Sequence, residues 1–402
     1  MRPERVAIFT GNYAHIRDGV SLTLNRWVGY LESQGVKTLV FAPGANPPAL
    51  EIQGRMTAVP SIPAPGRPEY RISISLPGSA REELEQFDPD LIHIATPDIL
   101  GFKALRWAGR RNKPVVASYH THFTSYLKYY RLGAIEPLGW SYLRWFYGRC
   151  RQIYVPTPSM MAELEAHGIG GDKRIWARGV DTRLFSPEKR SLEWRRDRGL
   201  ADDEQVVTFV SRLVWEKNLK LYADTVNRLK SKYQGVRAMV VGEGPAGEEL
   251  REMLPDAVYT GFLTGRELAA AYASSDLFLF PSDTETFGNV TLEAMASGLP
   301  CVVADAPGSK SLVDDGENGY LVKVSNPGGF AVALSRLIED EALRRRMAEN
   351  SLRKAKKYTW DQINGKLLSC YGEVVGSDEQ PGKQEQPGSD EQPGSDEQPG
   401  SL

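Results

Sequence analysis

The chain has 402 residues, 25% of them charged and 41% hydrophobic, and 49 Lys and Arg face 51 Asp and Glu for a formal net charge of −2. That length exceeds what a single hydrophobic core serves and implies two domains, and the near-neutral balance gives no global electrostatic reason to expect nucleic acid. Cys150, Cys301 and Cys370 are too few and too scattered for a disulfide framework or a metal cluster and point to a reducing, cytoplasmic setting; no apolar run reaches the roughly 18 residues of a spanning helix, and Met1–Arg5 leads into a short strand rather than a secretory signal.

Arg5–Thr10 reads as a buried strand, followed by the glycine-bounded stretch Gly11–Gly19 and an amphipathic helix from about Ser21 to Gln34. Strand, glycine loop and helix suggest a loop that faces a ligand, although the glycines alone could serve a turn. Lys37–Ala42, Leu91–Ala95, Pro114–Ser118 and Gln152–Pro156 supply further strands, with helices such as Gly101–Arg110 between them. This alternation predicts a doubly wound parallel sheet whose ligands lie at its carboxyl edge.

Tyr119-His120-Thr121-His122 follows the Pro114–Ser118 strand directly. No Cys, Glu or third His stands near the two histidines at ligand spacing, so zinc is not expected. From Arg106 to Gln152 the chain carries nine Lys and Arg against the single acid Glu136, interleaved with Tyr126, Tyr129, Tyr130, Trp140, Tyr142, Trp145, Phe146 and Tyr147. Such alternation suits an anionic membrane surface, and equally a partly buried helix with a solvated basic face.

Arg178–Asp181 and Arg183–Pro187 lead into an exposed linker at Pro187–Arg190, and Val206–Val210 restarts the alternation. At the end of that strand stand Arg212 and Lys217, two cations at a strand–helix junction that suit a diphosphate, bidentate for Arg and as a point charge for Lys. Ala238–Pro245 is a strand with the turn Gly242-Glu243-Gly244-Pro245, and Val258–Leu263 is a strand edge. Leu277–Phe280 is a fully apolar strand, ended by Pro281 and Ser282; a polar loop with Glu285, Phe287 and Gly288 follows, and then a helix capped by Asn289 or Thr291 and closed by Gly298. Free N–H groups and the positive end of that helix predict an anion site. Glu285 and Glu293 flank it and, being anionic, suit neutral hydroxyls instead. Pro300–Ala304 is a strand leading to Asp305–Lys310, and an amphipathic helix over about Ala342–Tyr358 precedes Thr359-Trp360-Asp361. From Gly376 a Gly-Ser-Asp-Glu-Gln-Pro pattern recurs every six residues, an acidic composition expected to stay disordered.

Glu285-x7-Glu293 within Ser-Asp-Thr-Glu-Thr-Phe-Gly…Leu-Glu-Ala-Met-Ala-Ser-Gly-Leu-Pro resembles the signature of the retaining family-4 glycosyltransferases. Over about residues 4–375 the other motifs of that family occur in order. The resemblance implies a GT-B fold: an acceptor-binding Rossmann-like domain over 1–185, a nucleotide-sugar-binding one over 186–359, a last helix at about 360–375 that packs back on the first domain, and the tail 376–402. It further implies that Glu285 contacts hydroxyls of the donor sugar and Glu293 holds the ribose. Arg212 and Lys217 would neutralise the diphosphate, Gly19 would lie over it, His120 would approach the anomeric carbon, and Phe287, Gly288 and Asn289 would belong to the donor loop. Ser211 stands where relatives have Gly, and Asp305–Lys310 replaces their Gly-Gly-x-x-Glu.

Ser118–His122 together with Trp176–Asp181 resembles the branch of sulfolipid sulfoquinovosyl transferases and GDP-mannose-dependent α-mannosyltransferases. The reaction so implied is transfer of a hexosyl group from a UDP- or GDP-sugar to a membrane glycolipid precursor, without metal or other cofactor, in the cytoplasm or peripherally on the inner face of the cell membrane. Asp88-Pro89-Asp90 precedes its strand, away from the ligand edge, so a metal clamp is not expected. A soluble glycan or small-molecule acceptor is the alternative. A non-catalytic nucleotide-sugar binder is the alternative of another class; against a hydrolysing UDP-sugar 2-epimerase on the same fold stand the Glu285-x7-Glu293 loop and Arg212…Glu216-Lys217-Asn218.

Overall fold

A computed structural model describes residues 2–65, 67–119, 136–285 and 287–378. In the first half lie β1 (Arg5–Phe9), β2 (Lys37–Pro43) and β3 (Arg55–Val59), an antiparallel hairpin of β4 (Ser61–Ala64) with β5 (Arg67–Ser73), and then β6 (Leu91–Ile94), β7 (Val115–Ser118), β8 (Gln152–Val155) and β9 (Asp172–Ile175). Apart from the hairpin these strands form one parallel sheet in the order β3-β2-β1-β6-β7-β8-β9. Its helices are α1 (Gly19–Ser33), α2 (Gly78–Phe87), α3 (Ile99–Arg110), α4 (Glu136–Tyr147) and α5 (Pro158–Ala166).

The second half repeats the plan. β10 (Gln205–Val210), β11 (Val236–Val241), β12 (Val258–Gly261), β13 (Leu277–Phe280), β14 (Cys301–Ala304) and β15 (Gly319–Val322) pair in parallel in the order β12-β11-β10-β13-β14-β15. Around them lie α6 (Leu192–Arg196), α7 (Leu219–Lys232), α8 (Gly247–Met253), α9 (Gly265–Ala273), α10 (Asn289–Ala296), α11 (Pro307–Lys310), α12 (Pro327–Glu339) and α13 (Glu341–Ala355). Each sheet reverses its winding once, between β1 and β6 and between β10 and β13. A crevice outside the carboxyl ends of the strands opens at such a reversal. The central strands are mostly apolar because helices cover both faces, β13 most plainly, with all four of its residues fully buried.

A last helix, α14 (Trp360–Asp378), follows the second sheet yet lies against the first. The Trp27 indole N–H donates to the Tyr371 hydroxyl at 3.0 Å, and the Arg26 guanidinium lies 4.6 Å over the Trp360 ring. Having accepted from Trp27, the Tyr371 hydroxyl is placed to donate to His93 Nδ1 at 2.6 Å, which leaves Nε2–H to donate to Ser118 Oγ at 2.5 Å. One buried chain of hydrogen bonds thus joins α1, α14, β6 and the end of β7.

Several elements differ from expectation. α1 starts at Gly19 rather than Ser21, because the Asp18 carboxylate accepts from Val20 N and Ser21 N while Ser21 Oγ–H donates to the Asp18 carbonyl. α10 is capped by neither Asn289 nor Thr291; its N-cap is Gly288, left-handed at φ 91° and without a side-chain cap. α14 runs through Gly376, Ser377 and Asp378, three residues into the acidic composition. The aromatics of 106–152 do not form one interfacial row: Trp140, Phe146 and Tyr147 are core residues of the first sheet, and exposure falls to Trp145. Tyr126, Tyr129 and Tyr130 lie outside the described residues, as does the tail beyond Asp378.

His93 is wholly buried, and burial pushes its pKa down from 6.5 to about 3. The native chain therefore keeps it neutral while the unfolded chain takes up a proton below about pH 6.5, so stability is lost as pH falls through this window, by up to about 1.4 kcal/mol per pH unit. Urea titrations at about pH 7, 6 and 5 should show this slope, reduced in His93→Gln; equal slopes in the two proteins would contradict the assignment.

Candidate functional site

The second sheet carries a cluster of polar and charged groups at its reversal. The loop after β13 turns sharply at Gly288 and delivers α10 with its first N–H groups uncapped by any side chain. An anion placed there gains those donors and the positive end of the helix. Opposite stands the segment after β10. Lys217 Nζ lies 2.6 Å from Glu285 Oε1 and 3.3 Å from Thr284 Oγ1, both its own side chain and that of Glu285 being largely covered. Asn218, left-handed at φ 56°, donates from Nδ2 to the Pro281 carbonyl at 2.8 Å and ties the two loops together. Arg212 is exposed, with Nη2 3.5 Å from Glu216 Oε1.

Glycines set the distances. Gly242, at φ 131°, packs so tightly that a Cβ would collide with the Ser211 carbonyl oxygen, and at Gly244 it would collide with that of Leu213. These two residues therefore serve close backbone packing, which fixes the segment bearing Arg212. Gly308, at the start of α11, does the same for the other loop: a Cβ there would sit 2.5 Å from the Glu285 carbonyl oxygen and 3.0 Å from Phe287 N. So the stretch that departs from the family pattern backs the Glu285 loop. Phe287 is itself buried against Tyr358, with ring centroids 6.1 Å apart, so its side chain serves packing within the loop. Asn289 is exposed at the first position of α10.

Beside this edge lies a cavity of about 440 Å³ lined by Val210, Ser211, Arg212, Val241, Gly242, Glu243, Phe262, Leu263, Leu268, Val290 and Glu293. It is mostly apolar, with two carboxylates, Glu243 and Glu293, and the Arg212 guanidinium in its wall, a form suited to a flat heterocycle bearing hydroxyls. Burial pushes the Glu293 carboxyl up to about 7, against the opposing effects of the Tyr272 hydroxyl, which donates to it at 3.1 Å, and of Arg26 from α1. Phe262 is 70% exposed and offers a ring to stack on. Phe262, Tyr272 and Gly308 are not singled out as site residues by the sequence; for Phe262 the available signal is a large aromatic just past the end of an edge strand.

On the first sheet, Gly19 opens α1 with no heavy atom within 4 Å of where a Cβ would stand. The loop before it is tied to the end of β6 by Gly11 N donating to Thr96 Oγ1 at 2.9 Å. Asp98, which caps α3 by accepting from Gly101 N at 2.8 Å, has its carboxyl raised to about 6 by burial. His120 and His122 lie outside the described residues; the chain up to Tyr119 is held by the Ser118 contacts above. Asp88 and Asp90 stand at the amino edge, where Asp88 pairs with Lys113 at 2.7 Å and Asp90 accepts from Glu4 N and Arg5 N. Among the described residues no group of three or more His, Cys, Asp or Glu is placed to hold a metal ion.

Residues 17–184 match the family described as Glycosyltransferase Family 4, and residues 191–354 that described as Glycosyl transferases group 1. A GDP-mannose-dependent alpha-mannosyltransferase of Corynebacterium glutamicum is 33% identical over 384 residues, covering 94% of this chain and 91% of that protein. Sulfoquinovosyl transferase SQD2 of Arabidopsis thaliana is 31% identical over 376 residues, covering 91% and 73%. Among solved structures, a sucrose-phosphate synthase from Thermosynechococcus elongatus superposes with a TM-score of 0.74 at 18% identity, covering 93% of this chain and 100% of that one. At that identity the likeness shows the fold: two parallel α/β sheets of the GT-B kind.

Because two backbones meet at Gly308, Gly308→Ala should displace the Glu285 loop. We expect turnover to fall about tenfold or more while stability drops by about 1–3 kcal/mol. Wild-type turnover in a folded Gly308→Ala protein would show that the loop's position is not set there.

Proposed function

From a chain that belongs to the group 1, family-4 glycosyltransferases and is therefore a retaining transferase, we infer a donor site at the carboxyl edge of the second sheet and a lipid acceptor facing it from the first. The observation that carries this reading is the meeting of Lys217, Glu285, Arg212 and the uncapped α10 terminus around one reversal point.

The donor is a UDP- or GDP-hexose. Its nucleoside enters the apolar cavity, where Phe262 stacks on the base and Glu293 accepts from the ribose hydroxyls. Its diphosphate lies between Arg212, Lys217 and the N–H groups of Asn289 and Val290. When the phosphate arrives, Lys217 exchanges the Glu285 carboxylate for it, and the freed Glu285 accepts from hydroxyls of the sugar. As the bond from the anomeric carbon to the phosphate oxygen lengthens, negative charge grows on the diphosphate. Fixed cations and amide dipoles aimed at that charge stabilise the departing group without a metal, a large catalytic contribution in a dry site. His120, carried just beyond the Ser118 anchor, approaches the sugar from the first sheet, and Gly19 leaves room above the diphosphate.

The acceptor is a membrane glycolipid precursor. Supporting this are the names of the relatives above, a GDP-mannose-dependent alpha-mannosyltransferase and Sulfoquinovosyl transferase SQD2, and a face of α3 and α4 with Ile99 44%, Trp145 37% and Leu138 70% exposed. Arg149 stacks 4.4 Å over Trp145 on that face, which offers cations and apolar surface together to an anionic bilayer. No helix of the described residues is long and apolar enough to cross a membrane.

Incubation with labelled UDP- and GDP-sugars, with and without lipid vesicles, separates transfer to lipid from transfer to a soluble glycan, from hydrolysis and from binding alone. Lys217→Ala and Glu285→Gln should each lower turnover by about 10²–10³; unaltered turnover would remove them from the mechanism. Replacing Arg144, Arg149 and Arg151 together by Glu should abolish sedimentation with phosphatidylglycerol vesicles. Sedimentation at the wild-type level would retire the membrane face.

A further inference from the structure

At the amino edge of the seven-stranded sheet, opposite the proposed ligand edge, lies a cavity of about 680 Å³ lined in part by Arg106, Asn112, Lys113, Trp145, Arg149 and Arg151. Its lining holds no carboxylate, and its Lys113 pairs with Asp88 at 2.7 Å. Donor chemistry at the carboxyl edge makes no use of this cavity. Four cations around one concavity call for a multivalent anion.

The end of α14 lies beside it. Glu373 Oε2 is 3.2 Å from Arg174 Nη2 and 3.5 Å from Gln152 Nε2, which places the last turns of the helix at the beginnings of β8 and β9. Arg151 immediately precedes β8, and its N–H donates to the Val115 carbonyl of β7, a residue of the cavity wall, at 2.7 Å. With strands about 4.8 Å apart, the cavity begins on the order of 10 Å from Glu373, and the helix adds only about 8 Å more to Asp378. Beyond Asp378 the sequence carries Glu379, Glu385, Asp390, Glu391, Asp396 and Glu397 against the lone Lys383. Twenty-four residues, 379–402, can span up to about 80 Å, so reach is no obstacle.

We propose that the acidic segment 379–402 is the occupant of this basic cavity, its paired carboxylates at 390–391 and 396–397 meeting the guanidinium groups of Arg106, Arg149 and Arg151. A second basic groove, of about 620 Å³, lies near Arg353, Lys354, Lys357 and Lys366. It is the poorer seat, because Asp314 and Glu317 stand in its wall and Asp314 already pairs with Lys354 at 2.7 Å. Single exposed ion pairs are weak. Tethering raises their local concentration to the order of millimolar, so several together hold the segment at low salt and release it at high salt. A seated segment also denies these cations to any other polyanion, an anionic bilayer included. The docking itself does not rest on the membrane reading.

Zero-length carbodiimide cross-linking of the full chain at about 50 mM salt, followed by mass spectrometry, tests the contact directly. We expect cross-links from the carboxylates at 390–397 to Lys113 and to Lys103 on the neighbouring face of α3. They should vanish at about 0.5 M salt and in the Arg106→Glu, Arg149→Glu, Arg151→Glu triple variant. Cross-links absent at low salt, or directed to Lys354, Lys357 and Lys366, would overturn the proposal. A chain ending at Asp378 should in addition bind phosphatidylglycerol vesicles about tenfold more tightly than the full chain at low salt. Equal affinities would also overturn it. Should neither chain bind vesicles, the membrane reading fails and the cross-link pattern alone decides the docking.

Discussion

A lysine and a glutamate 2.6 Å apart, drawn from two loops that leave neighbouring strands at the reversal of the second sheet, set the terms on which everything at this edge is arranged. The parallel sheet delivers both loops to the same side, and the order of its strands opens a crevice between them. Bringing two carboxylates, two cations and a helix terminus to one place is costly unless each charge has a counterpart. Lys217 and Glu285 therefore hold one another, and the Glu293 carboxyl is raised to about 7 by its own burial. On the proposed reading the pair is a placeholder: a diphosphate would displace Glu285 from Lys217 by bringing more charge, and a sugar would supply the hydroxyls that Glu285 then lacks.

Precision at this edge comes from backbones that touch. Gly242 and Gly244 press the Ser211–Leu213 segment into place, Gly308 presses on Glu285 and Phe287, and Asn218 bridges to Pro281. On the other sheet a buried hydrogen-bond chain does the equivalent work, running from Trp27 through Tyr371 and His93 to Ser118. Because Tyr371 belongs to the last helix, the end of the described chain stabilises the strand end that leads toward His120.

Legibility in the sequence followed burial. β1, β7, β10 and β13 announce themselves as apolar runs because helices cover both faces of a central parallel strand. β3, β4 and β9 do not, since they are edge or hairpin strands bearing exposed or charged residues such as Arg55, Asp172 and Arg174. Glu285, Glu293, Arg212 and Lys217 could be picked out as candidate residues because a charge at a strand end or a helix start has a limited set of uses. The 2.6 Å contact between two of them, and the part played by Tyr272 and Gly308, depend on pairings 21 to 68 residues apart that no local pattern encodes. Between Glu136 and Tyr147 the aromatics misled for the same reason: a helix packed on a sheet buries one side, and Trp140, Phe146 and Tyr147 fall on it.

The sharpest test compares two ligands that differ by one phosphate. If Lys217, Arg212 and the α10 terminus gather a diphosphate, calorimetric titration of Lys217→Ala and Arg212→Ala should show nucleoside diphosphate binding weakened about tenfold or more, and binding of the corresponding monophosphate nearly unchanged. Equal losses for the two ligands, or none for either, would contradict the account.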